Sequence, residues 1–101
     1  MIYEVTSDFP ANEKYGLAGQ IQRSAVSVSA NIAEGQARNS QKEFKYFLGI
    51  SLGSLAELET LLTIGHEINY IPKLKLDEVL GLTDQITRMI KGIIKHLSKT
   101  I

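Results

Sequence analysis

Residues 24–38 read SAVSVSANIAEGQAR, and the fold turns on whether this stretch is strand or helix. Val26, Val28, Ala30 and Ile32 alternate with Ser27, Ser29 and Asn31, the period of a half-buried strand. A strand reading ends at Ile32 and finds no second alternating run to pair with its amides and carbonyls. A helical period takes in more, because Leu17, Ile21, Ala25, Val28 and Ile32 are spaced four, four, three and four. The alternation is then a by-product of small residues set into a helix. Helix is the reading that satisfies the backbone.

Working outward, the turn DFPANEK precedes this helix, with Asn12 or a neighbour as its N-cap, and the helix is expected to stop between Gly35 and Asn39. Ser40-Gln41-Lys42-Glu43 then has the form of a capping box: Ser40 accepts from the Glu43 amide and Glu43 reaches back to Ser40. The following run through Phe44, Phe47, Leu48, Leu52, Leu55, Leu58, Leu61 and Leu62 covers about half of the helical circumference, as in a helix buried on two sides. Asn69-Tyr70-Ile71-Pro72 breaks the chain. A last helix is predicted from about Leu76 or Asp77, its core stripe being Leu80, Ile86, Met89, Ile90, Ile93, Ile94 and Leu97.

The predicted helices are 1–7, 13–36, 40–68 and 76–99 within one domain spanning residues 1–101. Three long helices joined by short turns give an all-α, antiparallel up-and-down four-helix bundle. The first helix is short or truncated: Ile2, Val5 and Phe9 share a face, but the stub leaves the fourth wall incomplete.

Composition narrows the function classes. The 101 residues contain no cysteine, which removes disulfides, thiolate metal sites and cysteine nucleophiles. No basic-then-apolar leader opens the chain, and the longest uncharged stretch, Tyr46 to Ala56, is short of the ~20 residues that span a bilayer, so a cytoplasmic protein without a membrane partner is expected. The net charge is zero, yet the signs are segregated. Residues 46–72 carry three acids and no Lys or Arg, while 73–101 carry six bases and three acids.

No constellation for catalysis emerges. Ser24, Ser27, Asn31 and Glu34 form a polar line beside the apolar stripe, and a hydrogen-bonded seam is the favoured explanation, since a lone carboxylate is poor acid–base equipment. His66 and His96 have no acidic or histidine companion at i+4, and the eight glycines form no phosphate-binding loop, so neither a metal nor any other cofactor is expected. Gly49 and Gly53 are expected to permit close helix approach. Arg88, Lys91, Lys95 and Lys99 form a basic stripe that could meet phosphates, with Arg23, Arg38, Lys42 and Lys45 as a second patch.

The motifs resemble those of the 23S rRNA intervening-sequence proteins. The S-x-x-x-N-I-A-E-G-x-x-R run is carried by Ser27, Asn31, Ile32, Ala33, Glu34, Gly35 and Arg38, after a matching lead-in at Lys14 to Leu17. Glu43, Phe44, Phe47 and Leu48 carry an E-F-x-x-F-L run, and Gly53, Ser54, Leu55, Ala56, Glu57, Leu58 and Glu59 a G-S-L-A-E-L-E run. Ser40 belongs to the same conserved-looking block through its capping role. The resemblance implies an antiparallel four-helix bundle assembled as a ring-shaped homopentamer. It also implies similarity to the accessory proteins of diversity-generating retroelements, which bind nucleic acid and a reverse transcriptase. This chain differs in its neutral charge and in having only Met1 to Ser7 where a full first helix stands in the family. The expectation is a non-enzymatic, self-assembling scaffold or accessory protein whose partners are copies of itself and a protein, or, alternatively, RNA or DNA held on basic faces of a homo-oligomeric ring.

Overall fold

The computed structural model describes residues 1–11 and 16–100, with side chains through residue 99. Four helices follow in order: α1, Ile2–Thr6; α2, Leu17–Gln36; α3, Gln41–Glu67; and α4, Lys73–Thr100. No strand occurs among the described residues, so the helical reading of residues 24–38 holds. The expected cap at Asn12, the start at residue 13 and the lead-in from Lys14 lie outside the described residues. Within them, α2 opens at Leu17 behind Gly16.

The ends of the helices follow local chemistry. α2 ends at Gln36, inside the expected range, with Ala37 still right-handed, and Gly35 lies within its last turn. Gly35 is needed for room, since a Cβ there would lie 2.9 Å from Phe44 Cδ1 and 2.9 Å from Phe47 Cβ. Ser40 caps α3, its hydroxyl accepting from the Glu43 amide at 3.1 Å. At the other end Asn69 takes φ 67°, the left-handed conformation that closes a helix, and Gly65 O accepts from the Tyr70 and Ile71 amides. α4 begins three residues before Leu76, because Pro72 supplies the first accepting carbonyl, to the Leu76 amide at 3.0 Å. Asp77 and Glu78, which favour a helix start, drew the expected boundary to Leu76 or Asp77. The pairing of Lys73 with Asp77 at 3.3 Å offsets part of the lysine's repulsion from the positive helix end.

The core has two parts. Val5, Phe9, Ala18, Ile21, Leu58, Leu62, Ile71, Leu76 and Val79 fill the end near α1. Val28, Leu48, Leu55, Ile90 and Leu97 fill the end where α2 passes to α3. α3 is the shared wall, packed on α2 and on α4, as its wide apolar arc predicts. By length and mean hydropathy α3 could also cross a membrane, a property that core helices share.

The molecule is a slab of 47 × 23 × 16 Å, with a radius of gyration of 15.0 Å. That exceeds the ~13 Å of a compact 100-residue domain. The cause is the length of α3 and α4, 27 and 28 residues or roughly 40 Å each, while five-residue α1 adds little thickness beside them. Beyond α1 an apolar trough of about 240 Å³ runs between α2 and α4, walled by Met1, Ala25, Ser29, Leu82 and Ile86 over Val28 and Leu55.

Two sequence expectations are corrected here. Ile86, Met89 and Ile93 are not core residues of α4. They are exposed, because nothing covers that side, whereas Ile90 and Leu97 are buried as expected and Leu76, Val79 and Thr83 are buried with them. Nor do Gly49 and Gly53 admit a neighbouring helix: nothing lies within 4 Å of a Cβ built at either. A mid-helix glycine costs up to ~1 kcal/mol against alanine. Gly49→Ala and Gly53→Ala are therefore each expected to stabilise the protomer by about 0.5–1 kcal/mol, read as a higher urea midpoint.

Candidate interaction surfaces

The residues of the 27–38 motif are consumed in joining α2 to α3. Ser24 Oγ donates to Glu57 Oε1 at 2.7 Å, and the Ser27 and Ser54 hydroxyls share a 2.9 Å bond. Asn31 Nδ2 donates to Ser27 O at 2.9 Å and to Ser27 Oγ at 3.1 Å. Deeper still, Ser51 Oγ donates to Val28 O at 3.0 Å. Among the described residues no buried side-chain nitrogen or oxygen is left without a partner. The buried part of the seam therefore has no unpartnered group, and the bonds between α2 and α3 fix the register of the two helices.

The end of the motif is equally occupied. Glu34 does not enter the seam: it accepts from Arg38 at 2.6 Å on the surface, and the Arg38 guanidinium lies 4.9 Å above the Phe47 ring. Half-buried Phe44 closes against Gly35. Sequence reasoning found the α2 half of the seam and missed its α3 half. Ser51, Ser54 and Glu57, spaced three and three, are the signal that was there to read.

The basic residues are placed unevenly. Arg88 is paired with Asp84 one turn earlier, so the stripe's first member is partly neutralised. Lys91, Lys95 and Lys99 are exposed and enter no ion pair among the described residues. Arg38, Lys42 and Lys45 flank the turn from α2 to α3, at the end of the slab where α4 also finishes. Arg23 is separated from them, lying about 20 Å nearer the other end of α2.

The histidines divide. His66 Nδ1 bonds Ile71 O at 2.9 Å and so braces the turn into α4, whereas His96 is exposed. No group of three metal-ligating side chains gathers among the described residues.

One exposed surface of α4 is apolar. Leu82, Ile86, Met89 and Ile93, spaced four, three and four, are 41%, 38%, 67% and 39% exposed along α4. Together with the trough they form one continuous side of the slab. Such a surface can associate. It holds no group that could react.

The model of the 23S rRNA-intervening sequence protein family matches residues 1–92. The chain belongs to this family. A solved structure of a Bacteroides thetaiotaomicron protein of unknown function, from the S23 ribosomal protein family, is similar at 26% identity and a TM-score of 0.82. The similarity covers 93% of this chain and 85% of that one. No curated protein sequence matches. Family membership thus supports the four-helix architecture and assigns no enzyme activity.

Proposed function

We propose that this family member is a non-enzymatic scaffold or accessory protein that works as a homo-oligomer, a ring of five being the copy number its family resemblance implies. One observation carries the reading: Met89 stands 67% exposed in line with Leu82, Ile86 and Ile93 on the open side of a thin slab. An apolar stripe of that length, continuous with a trough, is the kind of surface that partners cover. Sedimentation equilibrium at micromolar concentration tests it. The expected result is a mass several times the 11.2 kDa chain, and a strict single-chain mass refutes the reading.

A second reading, an RNA- or DNA-binding accessory protein, is favoured by one fact. Lys91, Lys95 and Lys99 share the bundle end with Arg38, Lys42 and Lys45. Repetition of such a patch around an oligomer raises avidity without new contacts. If nucleic acid is bound, the Lys91→Glu plus Lys95→Glu double variant lowers affinity for structured RNA or duplex DNA at least ten-fold, and wild-type affinity falls steeply with salt. Absence of binding at low salt removes this reading and leaves the scaffold.

A further inference from the structure

We propose that the exposed Tyr46 ring is a stacking platform for a base of an unpaired nucleic-acid strand, whose phosphates lie along Arg38, Lys42 and Lys45. The inference rests on the nucleic-acid reading above, and it names the form of nucleic acid and the residue that selects it.

The site is remote from the α4 stripe. Leu55 lines the floor of the trough. Tyr46 precedes it by nine residues, or two and a half helical turns, and so projects from the opposite side of α3. Whatever covers the trough does so on the other side of the slab.

A single exposed aromatic is ordinary on a protein surface. Tyr46 is distinguished by how it is held. It is 66% exposed, yet its ring meets the Phe47 ring at 85°, with centroids 5.3 Å apart. Phe47 is in turn held beneath the Arg38 guanidinium. A perpendicular contact occupies at most one face of the Tyr46 ring, so the other is left to stack.

Gly49 supplies a second observation. A helical side chain leans toward the N-terminal turn, so a long residue at position 49 would lean onto the ring one turn before it. Gly49 is exposed, and nothing lies within 4 Å of a Cβ built there. Packing within the protomer does not account for this glycine. An open approach to the ring does. Gly53 continues the bare line, since Lys42, Tyr46, Gly49 and Gly53 are spaced four, three and four.

Charge sets the direction of the strand. Lys42 and Lys45 are exposed and enter no ion pair among the described residues, and Lys42 lies one turn from Tyr46 on the same line. Two acids oppose them at this end: Glu34, which Arg38 neutralises, and exposed Glu43. Farther along α3, exposed Glu57 turns the surface negative. The strand therefore runs from Tyr46 toward the turn between α2 and α3. A duplex offers phosphates but keeps its base faces stacked inside, so it meets the lysines and not the ring. An unpaired strand meets both. The contact uses base face and phosphate, which RNA and DNA strands share.

Fluorescence anisotropy at low salt tests this with short labelled oligothymidylate and oligouridylate and with a DNA duplex of equal length. Both single strands are expected to bind about ten-fold more tightly than the duplex. Tyr46→Ala is expected to lower strand affinity about ten-fold and to leave duplex affinity unchanged, while Tyr46→Phe retains both. Gly49→Leu is expected to lower strand affinity as well, with every charge in place. All three positions are exposed or open, and an unchanged circular dichroism spectrum would verify folding. Strand affinity unchanged in Tyr46→Ala or Gly49→Leu, or lost in Tyr46→Phe, refutes the stacking site and spares the nucleic-acid reading. So does a duplex bound as tightly as the strands. A wild-type chain that binds none of the three at low salt refutes both.

Discussion

Gly35→Val is expected to destabilise the protein by about 3 kcal/mol, the upper end of what overpacking produces in a tight core. The effect comes from where the glycine sits. A Cβ at position 35 meets Phe47 Cβ at 2.9 Å, an atom fixed to its own backbone that no rotamer change can move, and Phe44 O at 3.3 Å. The turn between α2 and α3 spans only residues 37–40, so the helices cannot separate locally without losing the Ser40 cap. Valine adds two methyl groups beyond that Cβ. Gly35→Ala is expected to be milder, since its helix propensity returns up to ~1 kcal/mol. Urea unfolding followed by circular dichroism measures both. The opposite sign predicted for Gly49→Ala and Gly53→Ala makes the set informative: glycines in one chain are expected to respond in opposite directions according to what faces them.

Leu48→Ala is expected to cost about 3 kcal/mol, within the 2–5 kcal/mol seen when a fully buried leucine is truncated. Leu48 has no exposed surface and packs in the cluster of Val28, Leu55, Ile90 and Leu97. It is where α3 holds both other long helices at the end remote from α1, so the cavity cannot collapse by moving a single element. Against a total stability of roughly 5–15 kcal/mol, the loss is a large share. Amide hydrogen exchange should show it in the last turns of α4 as well as globally, because Ile90 and Leu97 lose a neighbour there. Leu74→Ala serves as the control: the same deletion at 81% exposure is expected to stay within ~0.5 kcal/mol.

How much of this was legible in the sequence depends on what each residue type encodes. The three long helices were readable because their apolar spacing and the Ser40 cap are local signals, and both survive folding unchanged. The start of α4 was placed a few residues late because Asp77 and Glu78 favour a helix start on electrostatic grounds, while the carbonyl of Pro72 already accepts from the Leu76 amide. The end of α2 was legible to within its expected range, but the reason for Gly35 was not: only the position of Phe44 and Phe47 on the next helix shows that it provides space.

The α4 stripe marks a different limit. Periodicity tells which residues are apolar together, and it does not tell how many walls are present to bury them. Seven apolar positions were assigned to one core stripe, but three of them face the side that five-residue α1 leaves open. The polar seam shows the same limit from the other direction. Ser24 and Ser27 announced a hydrogen-bonded line, but their partners Glu57 and Ser54 lie 33 and 27 positions away in the chain. Only the antiparallel register of α2 and α3 brings them together.

The central claim is that the protomer covers exposed apolar surface with other copies of itself. Small-angle X-ray scattering over a range of micromolar concentrations tests it most directly, because it reads mass and shape together. The account predicts forward scattering equivalent to several chains and a radius of gyration well above the protomer's 15.0 Å. Scattering from a single chain with a radius near 15 Å at every concentration would contradict it.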